Sequence, residues 1–519
     1  MNPAKLIAWP AQMYPHDTAF QCNELSLTFS VFNTRVNKLA HGLLSLGLNK
    51  GDHCALMMNN RTEFFESWFA ILKAGLVVVR LNARDDMHTH RHILRHSESS
   101  AIIISDNFQS EMSTIKNTIP HLKYCIAINA NTGEFVDYEG LLSNQSFNEP
   151  NIEVDPDDLN CIRYTSGTTG KPKGVAMTHR AAEAGLHNFF MNLDRLITPD
   201  DIMLNVAPLS HAARLLAFPY YYRGAKNIIL ERFQVRKVLE TIQKERVSVI
   251  FLIPTMINRI LDDVDLTDYD VSSLKRIFYG TSPINPKRLK RAIDYFGPIF
   301  RQNYGMAEAN MPLISLLPSQ HINDRDDECF DRLSSVGRPA LNVEVKIVDE
   351  KMNEVQRGQV GEIAIRSGSA MEGYWKNKKA TNEILRKGWL LTGDLARMDS
   401  EGYIFIVDRK KDVIISGGFN IYPKEIEAVI SAHPAIKEVA VIGVPDEQWG
   451  EAVKAFIVPQ DDQTVQLEEI IEICKTKLAG YKKPKFIKIV ERFEKNATGK
   501  IIKKNLQDIE WKGHKRRVY

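Results

Sequence analysis

Between residues 54 and 105 the chain alternates between two periodicities. CALMM (54–58), LVVV (76–79) and AIIIS (101–105) are short apolar runs, and FFESWFAILKAG (64–75) and HTHRHILRHS (88–97) lie between them with apolar residues at helical spacing. Apolar runs of this length read as strands buried on both faces. Strands that alternate with helices are joined in parallel by right-handed crossovers, so the order demands a sheet covered by helices. Phe32, Val36, Leu39 and Leu43 mark an earlier helix, closed by Gly47 and Gly51. VSVIFLIP (247–254) and the segment near 275–279 continue the pattern.

From about residue 336 the texture changes. VEVKIVDE, VGEIAIRS and GYIFIVDR alternate apolar and polar residues between glycines, which predicts a small antiparallel unit. KEIEAVISAH then places Ile426, Val429 and Ile430 on one helical face, ahead of the strand-like KEVAVIGVPD. The expected fold is α/β. A large N-terminal domain (1–408) holds parallel-rich sheets flanked by helices plus the small β unit, and a small α+β C-terminal domain covers 409–519.

A chain of 519 residues supports two to four packed units. Its net charge of +3 is too small to argue for nucleic acid. Six cysteines without paired spacing fit reduced thiols rather than a disulfide frame or zinc site. The first residues lack the apolar core of a signal peptide, and no apolar run approaches the ~18 residues of a membrane helix. A cytoplasmic protein is expected.

YTSGTTGKPKG (164–174) concentrates hydroxyls, glycines and lysines. It is not a Walker A loop: only two residues separate Gly167 from Gly170, and Pro172 follows Lys171 where a metal-binding hydroxyl would stand. Glycines still allow consecutive N–H groups to converge on an anion, and the flanking hydroxyls and ammonium groups suit phosphate. A flexible polar turn is the alternative reading of these residues alone.

This loop resembles the signature of the adenylate-forming superfamily, which includes acyl-CoA synthetases. QNYGMAEA (302–309), LTGD (391–394), DRKKDVIISGGFNIYP (408–423) and NATGK (496–500) resemble its other motifs in the same order. Residues 28–52 and 70–82 resemble its N-terminal region, so the likeness spans nearly the whole chain.

The resemblance implies ATP and CoA as co-substrates and Mg2+ as cofactor. A carboxylate is first joined to ATP as an acyl-adenylate, and CoA thiol then displaces AMP. Bringing one like charge to 4 Å of another costs about 1 kcal/mol in water and roughly 4 at an effective dielectric of 20. Cations and oriented donors must therefore meet the charge at the α-phosphate. By resemblance Thr165, Ser166, Gly167, Thr168, Thr169, Gly170, Lys171 and Lys173 embrace the departing phosphates. Glu308 would bind magnesium. Tyr304 would lie against adenine, Asn303 and Gly305 would belong to the same ATP site, and Gly280, Thr281 and Ser282 would line the purine's other side. Asp394 and Arg409 would meet the ribose. Lys500 would bridge the attacking carboxylate and the α-phosphate. Lys411 matches the hinge about which the C-terminal domain turns, bringing Ser416, Gly417 and Gly418 to CoA.

PLSHAARLLAF (208–218) matches the acyl-pocket region. His211 would gate or polarise the carboxylate site, and no aspartate stands there to pair an amino acid's ammonium. Arg214 would bind a second polar or anionic group on the acid, unless it faces solvent or pairs with a protein carboxylate. Ala307, Thr281, Arg80 and Glu494 depart from the family's usual residues, and Thr281 would narrow the acyl tunnel. The leading expectation is an acid–CoA ligase acting on a small-molecule acid, with homodimerisation left open. The alternatives are an adenylating enzyme that loads a separate carrier protein, and a nucleotide sensor that has lost catalysis.

Overall fold

A computed structural model describes residues 3–165, 172–263, 265–322, 332–461, 463, 465–495 and 501–514. The fold is α/β, and Cα packing divides it into two units. One comprises Met1–Glu344 and Ile365–Leu390, the other Val345–Ala364 and Leu391–Tyr519.

The first unit holds two large sheets. In one, the parallel strands Phe300–Met306, Arg276–Gly280, Val249–Leu252, Ile202–Asn205, Lys226–Ile229 and Thr18–Cys22 lie side by side, with antiparallel strands at either edge. In the other, Leu159–Thr165, Val77–Arg80, His53–Met57, Ala101–Ile104 and Tyr124–Ala127 run parallel, and Lys173–Thr178 and then Gly373–Tyr374 add antiparallel strands beside Leu159–Thr165. Every residue of His53–Met57, Val77–Arg80 and Ala101–Ile104 is buried, which accounts for their unbroken apolar texture. His53 and Arg80 are the exceptions in side-chain type.

The helix Phe29–Ser45 starts where the Thr28 hydroxyl accepts from Val31 N–H, an N-cap that satisfies one of the helix's free donors. It buries Phe32, Val36, Leu39 and Leu43 as their spacing predicts. Phe32 and Phe65 both reach Phe20 at ring separations of 4.6 Å, which ties two helices to the first sheet.

In the second unit, Ile436–Asp446 and Gly450–Pro459 form a long antiparallel pair, extended by Ile414–Ser416 and Phe486–Ile489. The helices Pro423–Ser431 and Leu467–Lys477 bury Ile426, Ile430, Ile470 and Cys474 in one core with Val441 and Val453. The antiparallel strands Trp389–Met398 and Ile404–Arg409 belong to the small sheet expected from residue 336 onward. No helix among the described residues is long and apolar enough to cross a membrane. The cysteines described, Cys22, Cys54, Cys125, Cys161 and Cys474, are free and buried.

Candidate functional site

Leu159–Thr165 and Lys173–Thr178 pair in antiparallel register, with Tyr164 opposite Gly174 and Thr165 opposite Lys173. The glycine-rich stretch therefore joins the ends of a β-hairpin. Ser166, Gly167, Thr168, Thr169, Gly170 and Lys171 lie outside the described residues. At the hairpin's base the Lys173 ammonium sits 5.0 Å from the Tyr374 ring centroid. The Tyr374 hydroxyl donates to Glu308 Oε1 at 2.7 Å. Burial first, and the Glu308 carboxylate second, hold the Tyr374 phenol above its ordinary range, so it remains a donor. Glu308 is buried, and its second oxygen takes no hydrogen bond from the described residues. A buried carboxylate that accepts from the described residues through one oxygen only has donor chemistry that fits a hard divalent cation such as Mg2+.

Asn303 and Gly280 are neighbours on adjacent parallel strands. A Cβ at Gly280 would lie 2.4 Å from the Asn303 carbonyl oxygen, so only glycine permits the approach. Thr281 follows it exposed and left-handed, at φ 69°. The Asn303 side-chain oxygen accepts from the Ser315 hydroxyl at 2.8 Å, while its amide nitrogen is buried without a partner. An unsatisfied buried donor of this kind costs stability in the free protein, and a planar heteroaromatic ligand with acceptors would satisfy it. Tyr304 and Gly305 continue the same strand, and Ser282 lies one residue beyond Thr281.

Within the segment 208–218, Arg214 is buried and His211 half-buried. Arg214 Nη1 donates to the His211 carbonyl oxygen at 2.6 Å, and its guanidinium lies 4.5 Å from the Trp68 ring centroid. Arg214 is only 1% exposed and forms no ion pair among the described residues. Burial overturns the alternative of a solvated arginine, and no acid among the described residues pairs with it. His211 Nε2 is buried without a partner. Burial, then Arg80 and Arg214, push the imidazole down to about 3. It is therefore neutral at physiological pH, able to donate or accept a hydrogen bond but not to serve as a cation.

That depression has a measurable consequence. The unfolded chain takes up a proton at His211 near pH 6.5, and the folded chain does so only near 3, so folding is favoured above pH 6.5 and loses free energy as pH falls toward 3. Buried His179 and His321, each pushed down to about 4, act in the same sense. Each contributes a slope of up to about 1.4 kcal/mol per pH unit in that window. Urea titrations of His211→Phe between pH 7 and 4 are expected to show a shallower loss of stability than wild type. Parallel curves would disprove the assignment.

In the second unit Asp394 and Arg409 face each other across two antiparallel strands, with Arg409 Nε 2.6 Å from Asp394 Oδ1. The two residues expected at the ribose thus form one bonded pair. Asp408 accepts from the backbone N–H groups of Arg409 (2.7 Å) and Lys424 (2.9 Å). Lys411 is the middle residue of the single turn Lys410–Asp412 that follows. Ser416 pairs with Phe419, so Gly417 and Gly418 are the two central residues of a hairpin turn, at φ 56° and 85°. Left-handed geometry at both positions favours glycine. Lys500 lies outside the described residues. The segment that carries it is bracketed by a bridge between Lys495 and Ile501. Lys503, three residues on, is paired with Glu427 at 2.7 Å rather than solvated.

Sequence reasoning missed Tyr374, Trp68 and Arg163. Only Arg163 carried a signal, a charge inside the apolar strand LNCIRYT.

Residues 7–375 match the AMP-binding enzyme family, and residues 425–500 match the AMP-binding enzyme C-terminal domain. A feruloyl-CoA synthase of Amycolatopsis sp is 35% identical over 509 residues, covering 97% of this chain and 98% of that one. The medium/long-chain-fatty-acid–CoA ligase FadD8 of Mycobacterium tuberculosis is 33% identical, covering 95% and 87% respectively. The solved o-succinylbenzoate CoA synthetase (MenE) of Bacillus subtilis, in complex with the acyl-adenylate intermediate OSB-AMP, is similar at a TM-score of 0.86 and 28% identity, covering 97% and 98%.

Proposed function

The chain belongs to the AMP-binding enzyme family, in its acid–CoA ligase branch, and from that premise we infer how its residues divide the reaction. The enzyme is an ATP-dependent acid–thiol ligase. A substrate carboxylate oxygen bonds to the α-phosphorus of ATP as the α–β phosphoanhydride breaks and pyrophosphate leaves. The CoA sulfur then bonds to the acyl carbon, AMP departs with the bonding electrons, and the thiol proton is lost.

The observation that carries the division of labour is the linked set Lys173–Tyr374–Glu308 at the base of the glycine-rich hairpin. Cation, phenol and carboxylate stand where the β- and γ-phosphates would leave. Glu308 would hold Mg2+ there, and the ion would supply charge to neutralise the phosphates. Asn303 meets the adenine, and Asp394 receives the ribose hydroxyls with Arg409 orienting it. Neutral His211 positions the carboxylate, and Lys500 meets the charge that builds at the α-phosphate. The Gly417–Gly418 turn lets the pantetheine pass close to the backbone. The acceptor is free CoA rather than a carrier protein.

The relatives' names range from aryl to aliphatic acids. CoA-thioester formation over a panel of aliphatic, aryl and dicarboxylic acids is therefore the test. Thioester from at least one class, dependent on ATP and Mg2+ and with AMP as co-product, is expected. No thioester together with acid-dependent pyrophosphate–ATP exchange would move the acceptor to a carrier protein. Absence of both would mean a nucleotide sensor.

A further inference from the structure

Buried cations in this protein are matched by acids almost everywhere. Arg35 pairs with Glu66 and Glu139, Lys73 with Glu149, and Lys503 with Glu427. Arg276 and Arg301 share Asp194. This is the ordinary pattern, because removing an unpaired charge from water is among the costliest events in folding.

Arg80, Arg163 and Arg214 break that pattern together. They are 7%, 3% and 1% exposed. Arg80 and Arg163 stand opposite each other on adjacent parallel strands, about 4.8 Å apart in backbone spacing. Both lie close enough to Arg214 for their charges to act on it. Arg163 Nη1 donates to Asn310 Oδ1 at 2.8 Å, while its Nε and Nη2 are buried without partners. Arg214 has its one bond to the His211 carbonyl, and its Nε has none. Arg80 Nε is likewise without a partner. Among the described residues no carboxylate lies within ion-pair distance of any of the three.

Three guanidiniums in one interior, with orphaned donors and no anion paired to them among the described residues, invite a counter-charge from a ligand. The cluster's position says which substrate brings it. Arg163 precedes Tyr164 and Thr165 at the start of the phosphate hairpin, and Arg214 follows His211 in the acyl region. The reacting carboxylate of an acid loses its charge when it becomes an acyl-adenylate. A buried arginine set is suited to an anion that survives that step, and the planar guanidinium fork matches a carboxylate.

We propose that Arg80, Arg163 and Arg214 bind a second, non-reacting carboxylate, so that the preferred substrate is a dicarboxylic acid activated at one end only. This rests on the acid–CoA ligase reading above, and a lack of thioester from every acid would fail that reading rather than this one.

The test compares kcat/KM for thioester formation between straight-chain diacids and monoacids of equal length, in wild type, Arg214→Met and Arg163→Met. Wild type is expected to favour one of the diacids by on the order of 100-fold or more, since a site built for a polar group strongly rejects an analogue lacking it. Each variant is expected to lose at least tenfold of that ratio, mainly through KM for the diacid. Each should also melt at a higher temperature than wild type without ligand, because an uncompensated buried charge has been removed. A purely structural arginine would give the opposite stability change. Should neither variant fold, thermal shift of wild type with diacid or monoacid alone decides: stabilisation by the diacid only is expected. Preference for monoacids, an unchanged ratio in folded variants, or a rise in KM for ATP at constant ratio would each overturn the proposal. The last would assign the arginines to phosphate.

Discussion

Lys500→Ala is expected to suppress acid-dependent pyrophosphate–ATP exchange by roughly 100- to 1,000-fold, the range seen when one preorganised donor to a developing charge is removed. Two anions, the carboxylate and the α-phosphate, must meet, and a compact ammonium on a flexible stem can follow charge as it moves between them. The neighbouring lysine cannot substitute, because Lys503 is committed to Glu427 at 2.7 Å. Thioester formation from synthetic acyl-adenylate and CoA is expected to stay within about threefold of wild type, since the proposed role of Lys500 is confined to the step before the acyl–phosphate bond breaks. Measuring both half-reactions on one preparation makes the comparison internal. Equal loss in both would mean that Lys500 supports the fold or binds AMP generally.

Much of this architecture could be read from residue order because parallel strands buried on both faces leave continuous apolar runs. Val77–Arg80 and Ala101–Ile104 fall where LVVV and AIIIS placed them. The run VSVIFLIP overstates its strand, which is Val249–Leu252, because Pro254 opens the next helix, where its fixed φ and missing N–H do no harm. The site was legible where it coincides with a motif and hidden where register creates it. Tyr374 reaches Glu308 only because Gly373–Tyr374 pairs with Val175–Ala176, a contact across some 200 positions that no local pattern encodes. Asp394 and Arg409 were read as separate ribose contacts, and strand pairing makes them one bonded unit. The arginine cluster was visible as two unrelated oddities, Arg80 and Arg214. Its third member, Arg163, was absorbed into the strand beside a recognisable loop, and only the parallel register opposite Arg80 joins them.

Lys411→Pro is expected to give the converse of Lys500→Ala: adenylation within about threefold of wild type, and thioester formation from acyl-adenylate reduced by on the order of 100-fold. Lys411 lies at the centre of a single turn between the strands Ile404–Arg409 and Ile414–Ser416. Immediately before it the Asp408 carboxylate ties the backbone at Arg409 and Lys424, so the freedom to change direction is concentrated in the residues that follow. Proline fixes φ near −65° and removes the N–H, which arrests any motion that uses that torsion. If the Gly417–Gly418 turn must be brought to the acyl-adenylate for CoA to react, the arrested enzyme should make one equivalent of bound acyl-adenylate per site and stop. Rapid-quench measurement would show that as a burst without turnover. Lys411→Ala, which removes the side chain but keeps the torsion free, is expected to retain turnover; matching loss in the alanine variant would assign the role to the ammonium instead of the backbone. Equal loss of both half-reactions in the proline variant, with an unchanged melting temperature, would rule out a two-conformation cycle for this enzyme.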